Sequence, residues 1–247
     1  MKIATWNVAK PVSSARRQRI HDFIHAQSAD VWVLTEAHDD FKPGFAHSWS
    51  SSPGRDGNHG TAHRWVTVLS DFPMSPLETS DPLRTCAVRI TPAVGNPFIV
   101  YGTVLPWRGS AWHDHPGEGG AAFREALALQ TSDWIRLQEN YPDEEFFVAG
   151  DFNQELVTPR YVGTQVNQRE LELALKRSGL VALTAGDADP VRRDLGSACI
   201  DHICARQKSD WSVVSTSRWP ESMALEKGPS DHYGISVSMS RPRRASR

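Results

Sequence analysis

Apolar segments of this sequence end in, or are interrupted by, side chains capable of metal binding and acid–base chemistry. The residues are Asn7, Glu36, Asp151, Asn153, Asp201, Asp231 and His232. A single Asp or Asn at the end of a strand is commonly a turn-forming residue. Because five segments end in this way, we expect their polar side chains to converge on one site at an edge of the sheets.

Three of these residues predict a site for a hard cation. Glu36, Asn7 and Asp231 supply oxygen ligands of the kind that Mg²⁺, Mn²⁺ and Ca²⁺ prefer. No cysteine belongs to the set, and the histidines lack the spacing of a closed zinc site. We therefore expect Mg²⁺, with Mn²⁺ or Ca²⁺ as alternatives.

An Asp–His pair can activate water, because the carboxylate orients the imidazole and the imidazole accepts a proton. Asp231 and His232 are neighbours in the chain and are poorly placed to pair side chain to side chain. Asp201 lies on another predicted strand and is the expected partner of His232.

The elements that must position these residues are mostly strands. Strand-like patterns cover residues 2–8, 31–35, 64–69, 85–90, 98–104, 145–149, 199–205, 211–215 and 233–239, and helical patterns cover 14–27, 121–138 and 168–177. Strands outnumber helices and several follow one another directly, which indicates one layered α/β or α+β domain over residues 1–239. The basic tail, 240–247, is predicted to be disordered, as a solvated terminus or a nucleic-acid contact.

Composition limits the function further. The chain has 247 residues, 27 basic and 29 acidic, with a formal charge of -2. Such a protein does not hold polyanions through bulk positive charge. Three cysteines without a C-x-x-C pair favour a reducing compartment. With no membrane-length apolar run and no signal-like N-terminus, we expect a cytoplasmic monomer; a secreted form trimmed of its signal peptide would look the same.

Five short motifs occur in order along the chain. They are W-N-V at 6–8, L-T-E at 34–36, G-D-F-N at 150–153, I-D-H-I at 200–203 and S-D-H-Y-G at 230–234. Together they resemble the endonuclease/exonuclease/phosphatase superfamily, which has the deoxyribonuclease-I-like fold. The resemblance implies a four-layer α/β/β/α sandwich, in which two mostly antiparallel β-sheets pack face to face between helices.

The resemblance also implies which residues hold a divalent cation. Asn7 and Glu36 would bind it, and Asp231 would assist directly or through water. Some members of the superfamily carry a further carboxylate at the position of Ala9, which cannot ligate a metal.

For catalysis, the resemblance implies that water attacks a phosphodiester in line. Asp151 would orient or deprotonate the water, and Asn153 would hydrogen-bond the phosphoryl oxygens. His232 would contact the phosphate, with Asp201 behind it. The cation would offset charge on the phosphoryl oxygens and the leaving group.

Two features near the end of the segment 98–104 bear on the leaving group and the substrate. Many members have His or Tyr where this chain has Val104, and His113 or His115 in the following loop could substitute. In the same loop, Trp107 and Arg108 are candidate substrate contacts, with Trp107 stacking on a base. The alternative for Trp107 is a loop folded on its own aromatic side chains.

These observations predict a divalent-metal-dependent phosphodiesterase, with nucleic acid as the first candidate substrate and therefore a nuclease. One alternative is a phosphatase or lipid phosphodiesterase that cleaves a small phosphoester on the same scaffold. Another is a catalytically silent binding module, suggested by Ala9 and Val104.

Overall fold

The computed structural model describes residues 1–11, 13–53, 62–110, 120–221 and 229–241. The strands are β1 (Lys2–Asn7), β2 (Val31–His38), β3 (His47–Ser50), β4 (His63–Ser70), β5 (Met74–Leu77), β6 (Thr85–Ile90), β7 (Phe98–Val104), β8 (Glu145–Asp151), β9 (Leu180–Ala182), β10 (Asp201–Arg206), β11 (Ser212–Trp219) and β12 (Gly234–Ser240). The helices are α1 (Ser14–Gln27), α2 (Ala121–Asn140), α3 (Gln165–Arg177) and α4 (Pro190–Leu195), with a 3-10 turn at Gly186–Ala188.

The strands form two six-stranded sheets. The first has the order β11-β12-β1-β2-β4-β3, and the second has the order β5-β6-β7-β8-β10-β9. Each sheet has one parallel pair at its centre, β1 with β2 and β7 with β8. The other neighbouring strands in both sheets pair antiparallel. The predicted sandwich of two mostly antiparallel sheets flanked by helices is confirmed.

Three apolar clusters hold the layers together. The central cluster lies between the sheets and includes Val33, Val100 and Phe147. The outer face of the first sheet packs against α1 through residues such as Ile20. The outer face of the second sheet packs against α2 and α3 through residues such as Phe123. Burial on both faces explains why the central strands are nearly continuous apolar runs.

Elements that the sequence patterns missed are short and lie at the periphery. Strands β3 and β5 are edge strands of four residues each, and β9 has three residues. At the C-terminus, Ser240 is the last residue of β12, and the guanidinium of Arg241 lies 4.7 Å from the centroid of the Trp211 ring. Ordered structure thus extends past the predicted boundary at 239, and residues 242–247 lie outside the described ranges.

Two further features of the described chain bear on the predicted compartment. All three cysteines, at positions 86, 199 and 204, are buried free thiols. Within the described ranges, every helix is too short or too polar to cross a membrane.

Candidate active site

The topology brings the predicted site residues to one edge of the sandwich. In the first sheet, β1 and β2 are parallel, so Asn7 and Glu36 lie at the same edge. In the second sheet, Asp201 at the start of β10 pairs with Asp151 at the end of β8. Because β12 runs antiparallel to β1, His232 just before β12 lies at this edge too.

Asn7 connects the two sheets. Its Nδ2 donates to Glu36 Oε1 at 3.2 Å and to Asp151 Oδ2 at 3.0 Å, while its Oδ1 accepts from the backbone N–H of Ala9 at 2.9 Å. The side chain is buried, so these bonds form away from bulk water. The structure thus joins two predicted metal ligands to the predicted water-activating carboxylate.

Lys10 is a site residue that sequence reasoning missed. Its Nζ lies 3.1 Å from Glu36 Oε2 and 5.7 Å from the centroid of the Trp65 ring. The Arg84 guanidinium lies 4.4 Å from the centroid of the same ring. Lys10 thus places a cation beside Glu36, although the chain as a whole has no excess of positive charge.

The backbone around the site adopts unusual conformations. Ala9, Lys10, Glu36 and Asn153 have φ between 46° and 55°, a left-handed region that L-residues other than Asn and Asp rarely adopt. Each such residue costs roughly 1–3 kcal/mol and persists only when the surrounding structure enforces it. Their concentration at this edge indicates a site that the fold arranges in advance.

The G-D-F-N segment forms a rigid turn after β8. Asp151 Oδ1 accepts from the backbone N–H of Asn153 at 2.8 Å, and Asn153 Nδ2 donates to the carbonyl of Leu105 at 2.9 Å. Gly150 has φ 146°, and a Cβ atom there would lie 1.9 Å from the carbonyl oxygen of Thr103. Glycine is therefore required for β8 to approach β7 closely enough to set the position of Asp151.

The structure forms the Asp201–His232 pair expected from the sequence. His232 Nδ1 lies 2.8 Å from Asp201 Oδ2. Two hydrogen bonds fix the backbone of His232. Trp6 Nε1 donates to the His232 carbonyl at 2.9 Å, and Ser230 Oγ accepts from the His232 N–H at 3.1 Å. The Asp201 carboxylate fixes the orientation of the His232 imidazole, as an acid–base pair requires.

Burial and mutual proximity shift the pKa values of this cluster. Burial and then the charge of Asp201 raise the pKa of Asp151 from 3.8 to about 7. Burial acts to lower the pKa of His232, but the charges of Asp201 and Asp151 outweigh it and raise the pKa to about 10. Without a metal, the Asp151 carboxyl group therefore keeps part of its proton near neutral pH, and the His232 imidazole is positively charged.

The residues fit a divalent cation. Ligand atoms of Asp151, Asp201 and His232 all lie within 4.8 Å of one another, and the hydrogen bonds of Asn7 extend the group to Glu36. Asp201 Oδ1 is buried and has no hydrogen-bond partner within the described ranges. A donor set made mainly of carboxylate oxygens suits Mg²⁺ or Mn²⁺ rather than a soft metal.

Asp231, the third predicted metal ligand, lies at the rim. It is exposed, and its Oδ1 lies 3.4 Å from Ser230 Oγ. Burial lowers the pKa of the Arg16 guanidinium, and the nearby charge of Asp231 acts to raise it. Direct metal binding by Asp231 stays a prediction.

Val104 is the last residue of β7, at the predicted end of this strand, and it lies opposite Asp151 in the β7–β8 register. Its side chain is buried in the cluster between the sheets and cannot protonate a leaving group. The two histidines suggested as substitutes, His113 and His115, lie outside the described residues.

The other candidate substrate contacts lie in the loop after β7. Trp107 and Arg108 are both exposed. A Cβ atom on Gly109 would lie 2.4 Å from the Trp107 ring, so the indole folds back over its own loop. This arrangement matches the alternative in which the loop packs on its own aromatic residue, and substrate contact by Trp107 and Arg108 stays a prediction.

Comparison with known proteins identifies the family. The model of the Endonuclease/Exonuclease/phosphatase family matches residues 4–232. The chain belongs to this family and is a phosphoester hydrolase. A comparison with curated proteins returns no match.

Solved structures share the fold across nearly the whole chain. A 3'-5' exonuclease from Neisseria meningitidis, NExo, is 19% identical with a TM-score of 0.65, covering 96% of this chain and 99% of its own. The human Nocturnin catalytic domain with bound sulfate is 16% identical with a TM-score of 0.68, covering 98% and 93%. A mannosyl-6-phosphatase from Bacteroides thetaiotaomicron is 15% identical with a TM-score of 0.65, covering 97% and 99%.

Proposed function

We propose that this protein is a Mg²⁺-dependent nuclease that hydrolyses phosphodiester bonds of nucleic acid. The observation that carries the proposal is the bridge formed by Asn7, which joins Glu36 of the first sheet to Asp151 of the second. The Asp201–His232 pair lies beside this bridge. One edge thus combines oxygen ligands, a carboxylate base and an oriented imidazole.

Each side chain then has a role in the reaction. Asp151 accepts a proton from the attacking water, as a carboxylate placed beside the phosphate can. His232 donates a hydrogen bond to a phosphoryl oxygen while Asp201 keeps its Nδ1 occupied. Asn153 would hydrogen-bond a phosphoryl oxygen through Nδ2, in exchange for one of its present bonds to Leu105 and Asp151.

Glu36, Asn7 and Asp231 would hold the cation, with Asp151 close enough to share it. When bound, Mg²⁺ supplies positive charge to the phosphoryl oxygens and the leaving group. Lys10 Nζ pairs with Glu36 Oε2 at 3.1 Å and offsets the charge of this carboxylate in the metal-free chain.

Solved structures with this fold support both candidate substrates, nucleic acid and a small phosphoester. NExo has been solved bound to a product DNA hairpin and is described as a 3' phosphatase as well as an exonuclease. The mannosyl-6-phosphatase represents small phosphoesters. The balanced charge of this chain favours a small phosphoester as the second candidate, because its 27 basic residues are offset by 29 acidic ones and leave no net attraction for a long polyanion.

The proposal includes a monomer acting in the cytoplasm. The support for the compartment is the set of three unpaired cysteines, since disulfides form and persist in oxidising compartments; the monomeric state is a prediction from the sequence alone.

The test is hydrolysis of single- and double-stranded DNA, RNA and bis-p-nitrophenyl phosphate with Mg²⁺ or Mn²⁺. We expect turnover that EDTA abolishes and that His232→Ala reduces by at least about 100-fold. His47→Ala, on β3, is the matched control and is expected to retain full activity. Activity that survives both EDTA and loss of His232 would refute the mechanism, and turnover confined to phosphomonoesters would favour the second candidate.

A further inference from the structure

A cavity of about 340 Å³ opens directly beside the Asp201–His232 pair. Ligand pockets in proteins span about 300–1,000 Å³, so a cavity of this size suits one nucleotide-sized group. Its walls include Tyr161, Ser197, Tyr233, Asp231 and His232.

One wall is the loop 161–163, which a buried carboxylate holds in place. Glu155 is 1% exposed, and it accepts hydrogen bonds from the backbone N–H groups of Tyr161, Val162 and Gly163 at 2.6, 2.7 and 2.8 Å. Burial acts to raise the pKa of Glu155, but these donors outweigh it and the pKa is lowered. The ionised Glu155 side chain thus holds the surface loop 161–163 in one conformation.

The adjoining residue strengthens this arrangement. Gln154 Oε1 accepts from the Thr164 N–H at 3.0 Å, and Gln154 Nε2 donates to the Glu155 carbonyl at 2.8 Å. Both residues directly follow the G-D-F-N motif, so the loop is fixed relative to Asp151 and Asn153. A preorganised loop lowers the entropic cost of binding a ligand.

The loop presents an aromatic ring that the protein does not bury. Tyr161 is 62% exposed, although its backbone is held by Glu155. On another wall, Tyr233 follows His232 in the chain, and the Arg218 guanidinium lies 5.2 Å from its ring centroid. Aromatic faces beside a phosphoryl-transfer site suit a planar group attached to the phosphate.

Resting on the proposed function, we propose that this cavity binds the nucleobase next to the scissile phosphate, with Tyr161 as its stacking surface. The protein then acts on one unpaired nucleotide at a time, because a base inside the cavity is no longer stacked in a duplex. Base stacking on an aromatic side chain contributes about 1–3 kcal/mol, which corresponds to roughly a 5- to 150-fold effect.

The kinetic test uses three dinucleotide substrates: a deoxyadenosine dinucleotide, and two versions with an abasic residue on the 5' or the 3' side. Removing the base that occupies the cavity is expected to lower kcat/KM about tenfold. Tyr161→Ala should lower kcat/KM for the intact dinucleotide by a similar factor and leave the corresponding abasic substrate unchanged. Equal cleavage of all three substrates by the wild-type protein would overturn the proposal.

Two variants make the comparison specific. Tyr161→Phe keeps the ring and is expected to retain the preference for the base. Trp49→Ala removes another exposed aromatic side chain, on β3, and should change nothing. If Tyr161→Phe loses the preference as fully as Tyr161→Ala, the ring does not act by stacking and the proposal is wrong.

A binding measurement separates this proposal from the nuclease activity itself. Titration calorimetry compares deoxyadenosine 5'-monophosphate with deoxyribose 5-phosphate on the wild-type protein and on Tyr161→Ala, in Mg²⁺ buffer. We expect the nucleotide to bind about tenfold more tightly, and the difference to vanish in the variant. This result supports the cavity even if no phosphodiester is cleaved, and equal affinities in the wild-type protein contradict it even if the nuclease assay succeeds.

Discussion

Two buried carboxylates show how the environment of a single residue decides its role. Asp133 is 1% exposed and accepts from the Ser80 N–H and Ser80 Oγ, both at 2.7 Å, from Tyr101 at 3.1 Å and from Arg136 at 2.8 Å. Asp151 is equally buried but lies beside a second carboxylate, Asp201. The first aspartate stabilises the fold, whereas the second is costly to ionise and is available to chemistry.

This contrast predicts that Asp151→Asn stabilises the metal-free protein while it abolishes activity. The pKa of Asp151 is about 7 in the folded chain against 3.8 ordinarily. Between these values the unfolded chain releases a proton that the folded chain keeps, so the free energy of unfolding falls as the pH rises. In EDTA at pH 8, we expect the free energy of unfolding of the variant, measured by urea denaturation, to exceed that of the wild type by about 1–2 kcal/mol.

Near pH 4 the two proteins should be nearly equal in stability, because the wild-type carboxyl group is then protonated in the folded state. Hydrolysis at pH 8 should fall by at least about 100-fold. Asp133→Asn is the control, and we expect it to lose stability because it weakens an ion pair and its hydrogen bonds. An Asp151→Asn protein less stable than the wild type at pH 8 would show that the buried charge is not costly.

At the scale of elements, the close approach of β8 to β7 sets the position of Asp151. The backbone of Gly150 passes so close to Thr103 that a side chain has no room. Gly150→Ala combines this clash with an unfavourable φ, and each effect costs about 1–3 kcal/mol. We therefore predict a loss of about 2–5 kcal/mol in the free energy of unfolding, measured by urea denaturation, together with a large loss of activity.

Gly179→Ala is the matched control for this prediction. Gly179 also has a positive φ, of 62°, but a Cβ atom there meets nothing within 4 Å. Its substitution should cost about 1–2 kcal/mol and leave kcat unchanged. Equal losses of stability at the two positions would mean that β7 and β8 can separate, and that their close approach does not fix Asp151.

The elements that could be predicted from the sequence are those whose burial produces a clear pattern of apolar residues. Strands β6 and β7 have the predicted bounds, because buried β-branched runs between turn residues mark them clearly. By contrast, β3 and β5 are short, half-exposed edge strands, and Pro76 within β5 argues against a strand in sequence terms. Their pairing is decided by neighbouring strands that are distant in the chain.

The same limit applies to the candidate site. Polar residues at strand ends were sufficient to find the Asp201–His232 pair, because motif order and sheet topology bring them together. Lys10 and Glu155 left no comparable signal, since a lysine after a strand and a glutamate in a loop are ordinary surface residues. Their roles depend on left-handed backbone and on loop closure, which emerge only in the folded chain.

For the whole molecule, charge and shape point to a few strong contacts with substrate. The formal charge is -2, and the cations identified near the site are few: Lys10 beside Glu36, Arg16 near Asp231 and Arg218 over the Tyr233 ring. On the proposed function, the cavity of about 340 Å³ beside His232 would hold about one nucleotide of the substrate. Such a protein would recognise the reacting unit and gain little from distant phosphates.

We therefore predict a shallow dependence of substrate affinity on salt. Each phosphate contact on single-stranded nucleic acid contributes a slope of about -0.7, so two contacts reduce affinity by about sevenfold between 50 and 200 mM salt. The measurement is KM for a single-stranded oligonucleotide over this range at constant free Mg²⁺, with a dinucleotide as the control. A protein that follows many phosphates would lose about 10³-fold or more for the oligonucleotide alone. That outcome would require a basic groove extending beyond this edge, and would contradict recognition centred on one nucleotide.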